Sequence, residues 1–365
     1  MIPVNKPYLP AFDKYTHYLE RVYQRAWLTN NGPLVQELKV RLEEYLGVKN
    51  LLLVANGTLA MQLAYKVFNL KGNAVTTPFT FIATSSSLAW EGIAPNFADI
   101  NAESYNLCPH HAEKAIDDYT TAIVPVHVYG NPCDVDAFQA LSAKKDLKVI
   151  YDAAHAFGVN VNGTSVLNYG DASTLSFHAT KVFHTVEGGA VIFKNSDDYE
   201  RALLMTNFGI DTKTMNINDS GINTKMSEVH AAMGLAVLDD IDNIISHRKA
   251  LFVEYCAQLK DIVTQPSWHN QSTLNGAYMP VTFSSKEECT AVLKGLADSG
   301  IIARRYFNPS INTIEHYRMQ KFARCEVSES YAERTLCLPL YFDMNDNEVH
   351  AVVTGVKKAL YADSI

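Results

Sequence analysis

Cysteine is scarce in this sequence and never occurs in closely spaced pairs. The six cysteines stand at positions 108, 133, 256, 289, 325 and 337, with no Cys-x-x-Cys spacing. Such a pattern is typical of reduced, mostly packed thiols in a reducing compartment. The N-terminal residues lack the apolar core of a signal peptide, and no apolar run approaches the roughly 20 residues of a membrane span. We therefore expect a cytoplasmic protein with no membrane segment and no metal site.

Two glycine-rich phosphate-binding motifs are also absent. The chain contains no Gly-x-Gly and no Gly-Lys pair, so it has neither a Rossmann dinucleotide fingerprint nor a Walker loop. A phosphate bound by this chain is therefore expected to be one small group rather than a pyrophosphate. Positive charge is in the minority: the formal net charge is -8, which argues against a nucleic-acid-binding protein. A local anion site is compatible with that charge.

Short apolar runs alternate with amphipathic stretches between residues 50 and 195. The composition, 47% hydrophobic and 19% charged, is globular, and the length favours two domains. The alternation predicts an α/β fold in which helices cover both faces of a mostly parallel, seven-stranded sheet. The predicted strands are Leu51–Ala55, Ala74–Thr77, Asn96–Ile100, Ala122–His127, Val149–Asp152, Thr174–Phe177 and Ala190–Phe193. The predicted helices are Thr58–Phe68, Phe81–Trp90 and Asp136–Lys144, the last with Asp134 as its N-cap.

A long helical segment leads out of this region. The residues from Ser227 to about Leu259 are predicted to form one continuous helix, because proline is absent from its first six turns and Gly234 is their single glycine. After Pro266 the pattern changes to a small α+β arrangement. Its predicted elements are the strands Ala277–Phe283, Ile301–Tyr306 and Thr335–Leu338 and the helices Lys286–Asp298 and Asn345–Leu360. The sequence thus predicts a large α/β domain over residues 1–240 and a smaller C-terminal α+β domain over residues 241–365.

Polar residues follow several predicted strands, where ligands of open parallel sheets bind. Asn56-Gly57-Thr58 stands between a strand and a helix, and its glycine, hydroxyl and free N–H groups suit a phosphate. An ordinary capped turn is the alternative.

Asp152-Ala-Ala-His155 ends another strand. A carboxylate beside small alanines can pair with the nitrogen of a flat pyridinium ring and keep that ring an electron sink. A helix cap or a structural ion pair is the alternative for Asp152, and a buried, hydrogen-bonded histidine is the alternative for His155.

A lysine follows a third strand. The run Ser176-Phe-His-Ala-Thr-Lys181 leaves the strand and returns through Gly188-Gly189 into the next one. Paired glycines between strand-like segments indicate a tight reversal packed under a bulky group. Taken alone, Lys181 is typical of a solvated surface lysine.

A fourth polar segment, Gly221-Ile-Asn223-Thr-Lys225-Met-Ser-Glu228, runs into the predicted long helix. An ordinary helix N-terminus with Ser227 as its cap explains this segment equally simply. None of the four segments identifies a function by itself.

Together and in this order, the motifs resemble the DegT/DnrJ/StrS family of pyridoxal-phosphate-dependent sugar aminotransferases. This family lies within the fold-type I (aspartate-aminotransferase-like) group, and the resemblance covers essentially the whole chain. Five family motifs have counterparts here: Ser-Gly-Thr as Asn56-Gly57-Thr58, Pro-x-Thr-aromatic as Pro78–Phe81, Asp-Ala-Ala-(Gln/His)-Ala as Asp152–Ala156, Ser-x-x-x-x-Lys as Ser176–Lys181, and Gly-Tyr-Asn-x-Arg-Met as Gly221–Met226. The resemblance implies an enzyme that uses pyridoxal 5'-phosphate.

Carried over to this sequence, the resemblance assigns a role to each motif residue. Lys181 holds the cofactor as a Schiff base and moves the proton during amino transfer, and Asp152 pairs with the pyridine nitrogen. The remaining implied contacts are His155 near the ring hydroxyl, Phe81 on the ring face, Asn56, Gly57, Thr58 and Ser176 at the phosphate, and Asn223 at the phosphate of the neighbouring subunit. The family therefore implies a homodimer with shared active sites.

The resemblance also implies the substrates. L-glutamate donates the amino group, and a nucleotide-linked keto-deoxysugar accepts it. The form Ser-Phe-His-Ala-Thr-Lys with Glu-Gly-Gly is similar to the branch that aminates C4 of dTDP-4-keto-6-deoxyglucose for bacterial surface polysaccharide, including the O-antigen of lipopolysaccharide. Amination at C3 of a related sugar stays open. A sugar dehydratase is disfavoured, because those relatives carry histidine in place of Lys181, and intact Lys181 and Asp152 disfavour a regulatory relative.

Some residues depart from the family motifs or stand outside them. Lys225 replaces arginine, which removes a bidentate fork and weakens substrate anchoring, and Ile222 replaces tyrosine. Arg304-Arg305-Tyr306 ends a predicted strand and is our candidate for contacts with the substrate diphosphate. Within it we choose Arg305 and Tyr306, together with Lys225, as substrate residues. A solvated charge pair is the alternative at that place.

Overall fold

A computed structural model of the chain describes residues 1–318 and 324–361, which contain thirteen α-helices and eleven strands. The helices are α1 (Phe12–Arg25), α2 (Pro33–Leu46), α3 (Gly57–Val67), α4 (Ala83–Trp90), α5 (Pro109–Ala115), α6 (Val135–Lys145), α7 (Ser196–Met205), α8 (Glu228–Leu238), α9 (Ile241–Leu259), α10 (Lys286–Asp298), α11 (Glu315–Arg318), α12 (Glu326–Arg334) and α13 (Asp346–Leu360). The strands are β1 (Leu51–Val54), β2 (Asn73–Thr76), β3 (Ala94–Phe97), β4 (Thr120–Val124), β5 (Lys148–Asp152), β6 (Asn160–Val161), β7 (Thr164–Ser165), β8 (Ala172–Ser176), β9 (Gly189–Phe193), β10 (Met279–Thr282) and β11 (Thr335–Leu338).

Seven strands form the central sheet, in the order β1-β9-β8-β5-β4-β2-β3. The pairs from β8 to β3 are all parallel, and β9 runs antiparallel between β1 and β8. Most of these strands are buried along their length, which explains why they appear in the sequence as continuous apolar runs. The predicted α/β fold with a mostly parallel seven-stranded sheet is confirmed.

The sheet register brings three chain segments together at its carboxyl edge. Gly189 at the start of β9 pairs with Val54 at the end of β1 and with Ser176 at the end of β8. Asp152 ends the next strand, β5, and pairs with Thr174. The loop between β8 and β9, residues 177–188, therefore reverses directly above this edge.

The predicted continuous helix Ser227–Leu259 is wrong. Two helices, α8 and α9, occupy the segment and meet at Asp239 and Asp240. Each carboxylate at the break accepts a hydrogen bond from a distant cation: Asp240 from Lys14 at 2.6 Å and Asp239 from Arg41 at 2.8 Å. These ion pairs are tertiary contacts, so no proline or glycine in the sequence marks the break.

The predicted strand Ile301–Tyr306 is also wrong. The segment forms two isolated bridges to different neighbours: Ile301 pairs with Ile2 in parallel, and Arg304 pairs with Cys337 in antiparallel orientation. A backbone that changes its partner within three residues cannot continue one ladder, although its apolar and polar pattern is that of a strand.

The C-terminal third of the chain has a hydrophobic core of its own. This core contains the second half of α9 together with β10, α10, β11 and α13. The first half of α9 packs into the larger core, where Ile241 and Ile245 are buried, and Leu251 already belongs to the smaller core. Ile2 packs against the smaller core as well. The domain boundary at residue 240 stays a prediction. No helix within the described ranges is both long and apolar enough to cross a bilayer.

Candidate active site

A cavity of about 360 Å³ opens at the carboxyl edge of the central sheet. The ends of β5 and β8 and the turn that follows β1 form its floor, and residues from the C-terminal third of the chain close one side. Its lining includes nine of the predicted site residues: Asn56, Gly57, Thr58, Phe81, Asp152, His155, Ser176, Lys181 and Tyr306. Residues that are far apart in the sequence therefore meet at one place.

Lys181 lies in the loop between β8 and β9, and its side chain lines the cavity. Its Nζ donates a hydrogen bond to the hydroxyl of Tyr278 at 3.4 Å. Burial lowers the pKa of Lys181 to about 8, although the negative charge of Asp152 acts in the opposite direction. At pH 8 about half of the protein molecules then carry Lys181 as a free amine, which is the form that a nucleophile or a base requires. Lys181 is not the solvated surface lysine of the alternative interpretation.

Asp152 ends β5 and is 6% exposed. Its Oδ2 accepts a hydrogen bond from Thr84 Oγ1 at 2.8 Å, and its Oδ1 accepts one from the N–H of Ala154 at 3.1 Å. Burial raises the pKa of Asp152, while Thr84, Ala154 and the charge of Lys181 oppose the rise. Within residues 1–318 and 324–361 Asp152 has no ion-pair partner within 4.0 Å, so its carboxylate is free to pair with a cation in the cavity.

His155 is buried and lines the same cavity as Asp152. Its Nδ1 accepts a hydrogen bond from the N–H of Tyr129 at 3.2 Å, so the ring proton of the neutral histidine resides on Nε2. Burial lowers the pKa of His155 well below its usual range, and the nearby Lys181 adds to this effect. Tyr129 itself has a φ of +59°, a left-handed conformation that costs about 1–3 kcal/mol for such a residue. This strain accompanies the contact that fixes the His155 tautomer.

The N-terminus of α3 meets the end of β8 with very little space between them. A Cβ on Gly57 would lie 2.9 Å from Ser176 Cβ, and a Cβ on Gly189 would lie 2.5 Å from the carbonyl carbon of Asn56. Asn56 caps the helix, since its Oδ1 accepts from the N–H of Leu59 at 2.9 Å. The capped turn and an anion site are compatible, because the cap takes the N–H of Leu59, whereas Gly57 and Thr58 ahead of it line the cavity.

Three predicted site residues do not line this cavity. Asn223 is exposed, and Lys225 donates from Nζ to Asn207 Oδ1 at 2.8 Å in a separate groove. Arg305 turns toward α10, where its Nη2 donates to Thr290 Oγ1 at 2.6 Å. The neighbouring Arg304 lines the cavity in its place, and its Nη1 lies 3.4 Å from the Tyr306 hydroxyl. The choice of Arg305 over Arg304 therefore does not fit the geometry.

The sequence analysis missed Thr84 and Tyr278. Thr84 carried a usable signal, because it lies in the first turn of α4 just after the motif that ends at Phe81. Tyr278 carried none, since it precedes a strand in the C-terminal third and reaches the cavity through tertiary packing.

Comparison with known proteins places this site in a family. The model of the DegT/DnrJ/EryC1/StrS aminotransferase family matches residues 13–357. The dTDP-4-amino-4,6-dideoxy-D-glucose transaminase of Shigella dysenteriae is 40% identical over 366 aligned residues, which cover 97% of this chain and 98% of that protein. The Escherichia coli protein of the same name is 38% identical, with 95% of this chain and 96% of that protein covered.

A solved structure gives the same result at the level of the fold. DesI, crystallised in the presence of its TDP-sugar product, superposes with a TM-score of 0.94 at 32% sequence identity. The superposition covers 100% of this chain and 94% of the DesI chain. The predicted family, the fold-type I architecture and the enzyme class are confirmed. The chain belongs to the DegT/DnrJ/EryC1/StrS aminotransferase family.

Proposed function

We propose that this chain transfers the amino group of L-glutamate to C4 of dTDP-4-keto-6-deoxyglucose and so produces dTDP-4-amino-4,6-dideoxyglucose. The observation that carries the amino-transfer chemistry is that Lys181 and the buried carboxylate of Asp152 line one cavity at the sheet edge. The choice of sugar is supported by the names of the relatives from Shigella dysenteriae and Escherichia coli, which align over nearly the whole chain.

The residues of the cavity fit pyridoxal 5'-phosphate, which we propose as the cofactor. When bound, this cofactor supplies an aromatic aldehyde and a ring that withdraws electrons from the reacting carbon. The fit has three parts: an amine at Lys181 whose pKa burial lowers to about 8, a buried carboxylate at Asp152, and a helix N-terminus whose first residues, Gly57 and Thr58, line the cavity. The residues assigned to hold it are Lys181 for the covalent link, Asp152 for the ring nitrogen, His155 for the ring hydroxyl, Phe81 for the ring face, and Asn56, Gly57, Thr58 and Ser176 for the phosphate.

Lys181 has two tasks in this proposal. As a free amine it is a nucleophile, and as a base its Nζ takes the proton from the α-carbon of the amino donor. Nζ releases this proton before the first half of the reaction ends. In the second half Nζ takes up a second proton and delivers it to the sugar carbon that receives nitrogen. A pKa of about 8 suits both directions, because neither the free amine nor the ammonium is scarce near neutral pH.

Asp152 and His155 each keep one charge state in this proposal. The carboxylate of Asp152 provides a negative charge at the cavity floor, and the hydrogen bond from Thr84 helps it to stay ionised despite burial. His155 is neutral and holds its proton on Nε2, so it can donate a hydrogen bond without bringing a positive charge near Lys181. Arg304 and Tyr306, at the cavity wall, are assigned to the diphosphate of the nucleotide sugar.

A homodimer with shared sites is part of the proposal. The loop between α7 and α8 carries four apolar side chains that are more than half exposed: Phe208, Met215, Ile217 and Ile222. Apolar exposure of this kind is typical of a protein interface. Asn223 and Lys225 lie in the same loop. In this proposal a second copy covers the loop, and Asn223 contributes to that copy's cavity.

The reaction is tested with the purified protein, L-glutamate and a panel of nucleotide keto-sugars. Mass spectrometry and NMR of the product are expected to show an amine at C4 of the sugar from dTDP-4-keto-6-deoxyglucose. An amine at C3 of a 3-keto isomer, with no turnover of the 4-keto sugar, would overturn the assignment of dTDP-4-keto-6-deoxyglucose as the substrate. The purified protein is also expected to absorb visible light, and Lys181→Ala is expected to lose the covalent link and turnover; normal turnover in that variant would refute the role of Lys181.

A further inference from the structure

A tyrosine from the C-terminal third of the chain contacts the cavity lysine. Tyr278 directly precedes β10, and its hydroxyl oxygen accepts a hydrogen bond from Lys181 Nζ at 3.4 Å. The same Nζ lies 5.9 Å from the centroid of the Tyr278 ring. In the part of the chain that the structure describes, Tyr278 is the one side chain that is hydrogen-bonded to Lys181 Nζ.

The turn that carries Tyr278 is tied to the wall of the cavity. Asn275 is buried, and its Nδ2 donates to the carbonyl oxygens of His155 at 2.8 Å and Phe157 at 3.0 Å. Its Oδ1 accepts from the N–H of Ala277 at 3.0 Å. One amide side chain therefore fixes the backbone ahead of Tyr278 to the segment that contains His155.

A buried arginine holds the other side of this turn. Arg248 of α9 is 3% exposed, and it donates to the carbonyl oxygens of Gly276 at 2.9 Å and Ala277 at 3.0 Å. Burial lowers the pKa of Arg248 to about 10, and among the described residues no acidic group lies within ion-pair distance of it. A buried guanidinium without an acidic partner is unfavourable by itself. Its contacts here serve the position of the turn, and hence of Tyr278.

The ring of Tyr278 is confined as well. It packs against the ring of His155 with centroids 4.6 Å apart, against Tyr306 at 5.7 Å and against Tyr129 at 5.8 Å. Three aromatic neighbours restrict the rotation of the phenol, so its hydroxyl stays directed at Lys181 Nζ. Burial raises the pKa of Tyr278, so its hydroxyl remains protonated throughout the ordinary pH range.

We propose that Tyr278 is a positioning residue for Lys181: its hydroxyl oxygen accepts a hydrogen bond from the Lys181 ammonium and holds Nζ at the cavity wall between the two proton transfers. The inference rests on the proposed function, because the two proton transfers by Lys181 are steps of that function. A charged donor makes a stronger hydrogen bond than a neutral one, so the contact favours the ammonium over the free amine. The other titratable or charged groups that line the same cavity are Asp152, His155, His178, Glu187, Arg304 and Tyr306.

The amine of Lys181 is the readout of the test, since it can be followed without cofactor or sugar. Cofactor-free, full-length protein is labelled competitively with acetic anhydride from about pH 6 to pH 10, and acetylation of Lys181 is measured by peptide mass spectrometry. We expect the midpoint for Tyr278→Phe to lie about one pH unit below that of the wild type, a roughly tenfold change in the ratio of amine to ammonium. The direction follows because phenylalanine keeps the burial of Lys181 and removes an acceptor of its ammonium.

Tyr105→Phe is the matched control. The Tyr105 hydroxyl is buried and donates to Thr282 Oγ1 on β10 at 2.9 Å, away from the cavity. This variant is expected to keep the wild-type midpoint. A wild-type midpoint in Tyr278→Phe, or an equal change in both variants, would overturn the proposal. The outcome is independent of the substrate test, because a protein that makes no amino sugar still reports the protonation of Lys181.

Discussion

Replacing Thr84 by valine tests how the buried carboxylate of Asp152 keeps its charge. Thr84 Oγ1 donates to Asp152 Oδ2 at 2.8 Å, and the N–H of Ala154 donates to the other oxygen at 3.1 Å. Valine has nearly the same shape as threonine but has no hydroxyl. A hydrogen bond to a charged group contributes about 1.5–3 kcal/mol. Because one pKa unit corresponds to about 1.4 kcal/mol, the pKa of Asp152, already raised by burial, is expected to rise by about one to two more.

The pH profile of kcat measures this change. If ionised Asp152 is required for amino transfer, the acidic limb of the profile moves upward by about one to two pH units in Thr84→Val, and activity recovers on the alkaline side of that limb. Thr84→Ser keeps the hydroxyl and is expected to keep the wild-type limb. The reasoning is refuted by an unchanged acidic limb in the folded Thr84→Val protein, or by an equal displacement in Thr84→Ser.

Two further predictions concern the cavity and the residues that two subunits share. The Asp152→Asn variant is expected to bind the cofactor but to have a kcat about 10²-fold lower, because it loses about 3 kcal/mol of charge-assisted pairing. Visible absorbance checks that the cofactor is bound, and an unchanged kcat would contradict the role of the carboxylate. Heterodimers of Asn223→Ala with Lys181→Ala are expected to regain about half of the wild-type activity, because one of the two shared sites then has both native residues. Verified heterodimers that stay inactive would count against shared sites.

The floor of the site was predictable because the sequence encodes it locally. Buried strands appear as apolar runs, and the carboxyl ends of neighbouring parallel strands must meet at one edge. Asp152 and Ser176 end β5 and β8, so their places along the edge followed once the strands were identified. The predicted helix caps Asp134 and Ser227 are confirmed too, since their side chains accept from the N–H groups of Ala137 and His230.

The wall of the site depends on tertiary contacts that leave no periodic signal. Tyr278 reaches Lys181 because Asn275 and Arg248 fix its turn, and both contacts span more than twenty residues of sequence. The break between α8 and α9 has the same origin, because ion pairs to α1 and α2 stabilise it. Periodicity predicts which face of an element is buried; it does not predict which distant residue an irregular segment contacts.

The segment around Arg304 and Arg305 shows why tertiary contacts, which periodicity does not predict, matter for substrate binding. Arg304 lines the cavity, whereas Arg305 donates to Thr290 Oγ1 at 2.6 Å on α10. Arg304→Gln is therefore expected to raise the KM for the nucleotide sugar by about tenfold, the lower end for a hydrogen bond to a charged group, because the arginine is exposed.

Arg305→Gln removes an adjacent charge of the same sign and is the matched control. It is expected to leave the KM for the nucleotide sugar unchanged, because its guanidinium is directed at α10 rather than at the cavity. Long-range attraction of the diphosphate would affect both variants alike and would weaken with added salt. A direct contact affects Arg304→Gln alone and persists at high salt. A larger increase in KM for Arg305→Gln than for Arg304→Gln would show that the side chains exchange places when substrate binds, and it would refute the assignment of Arg304.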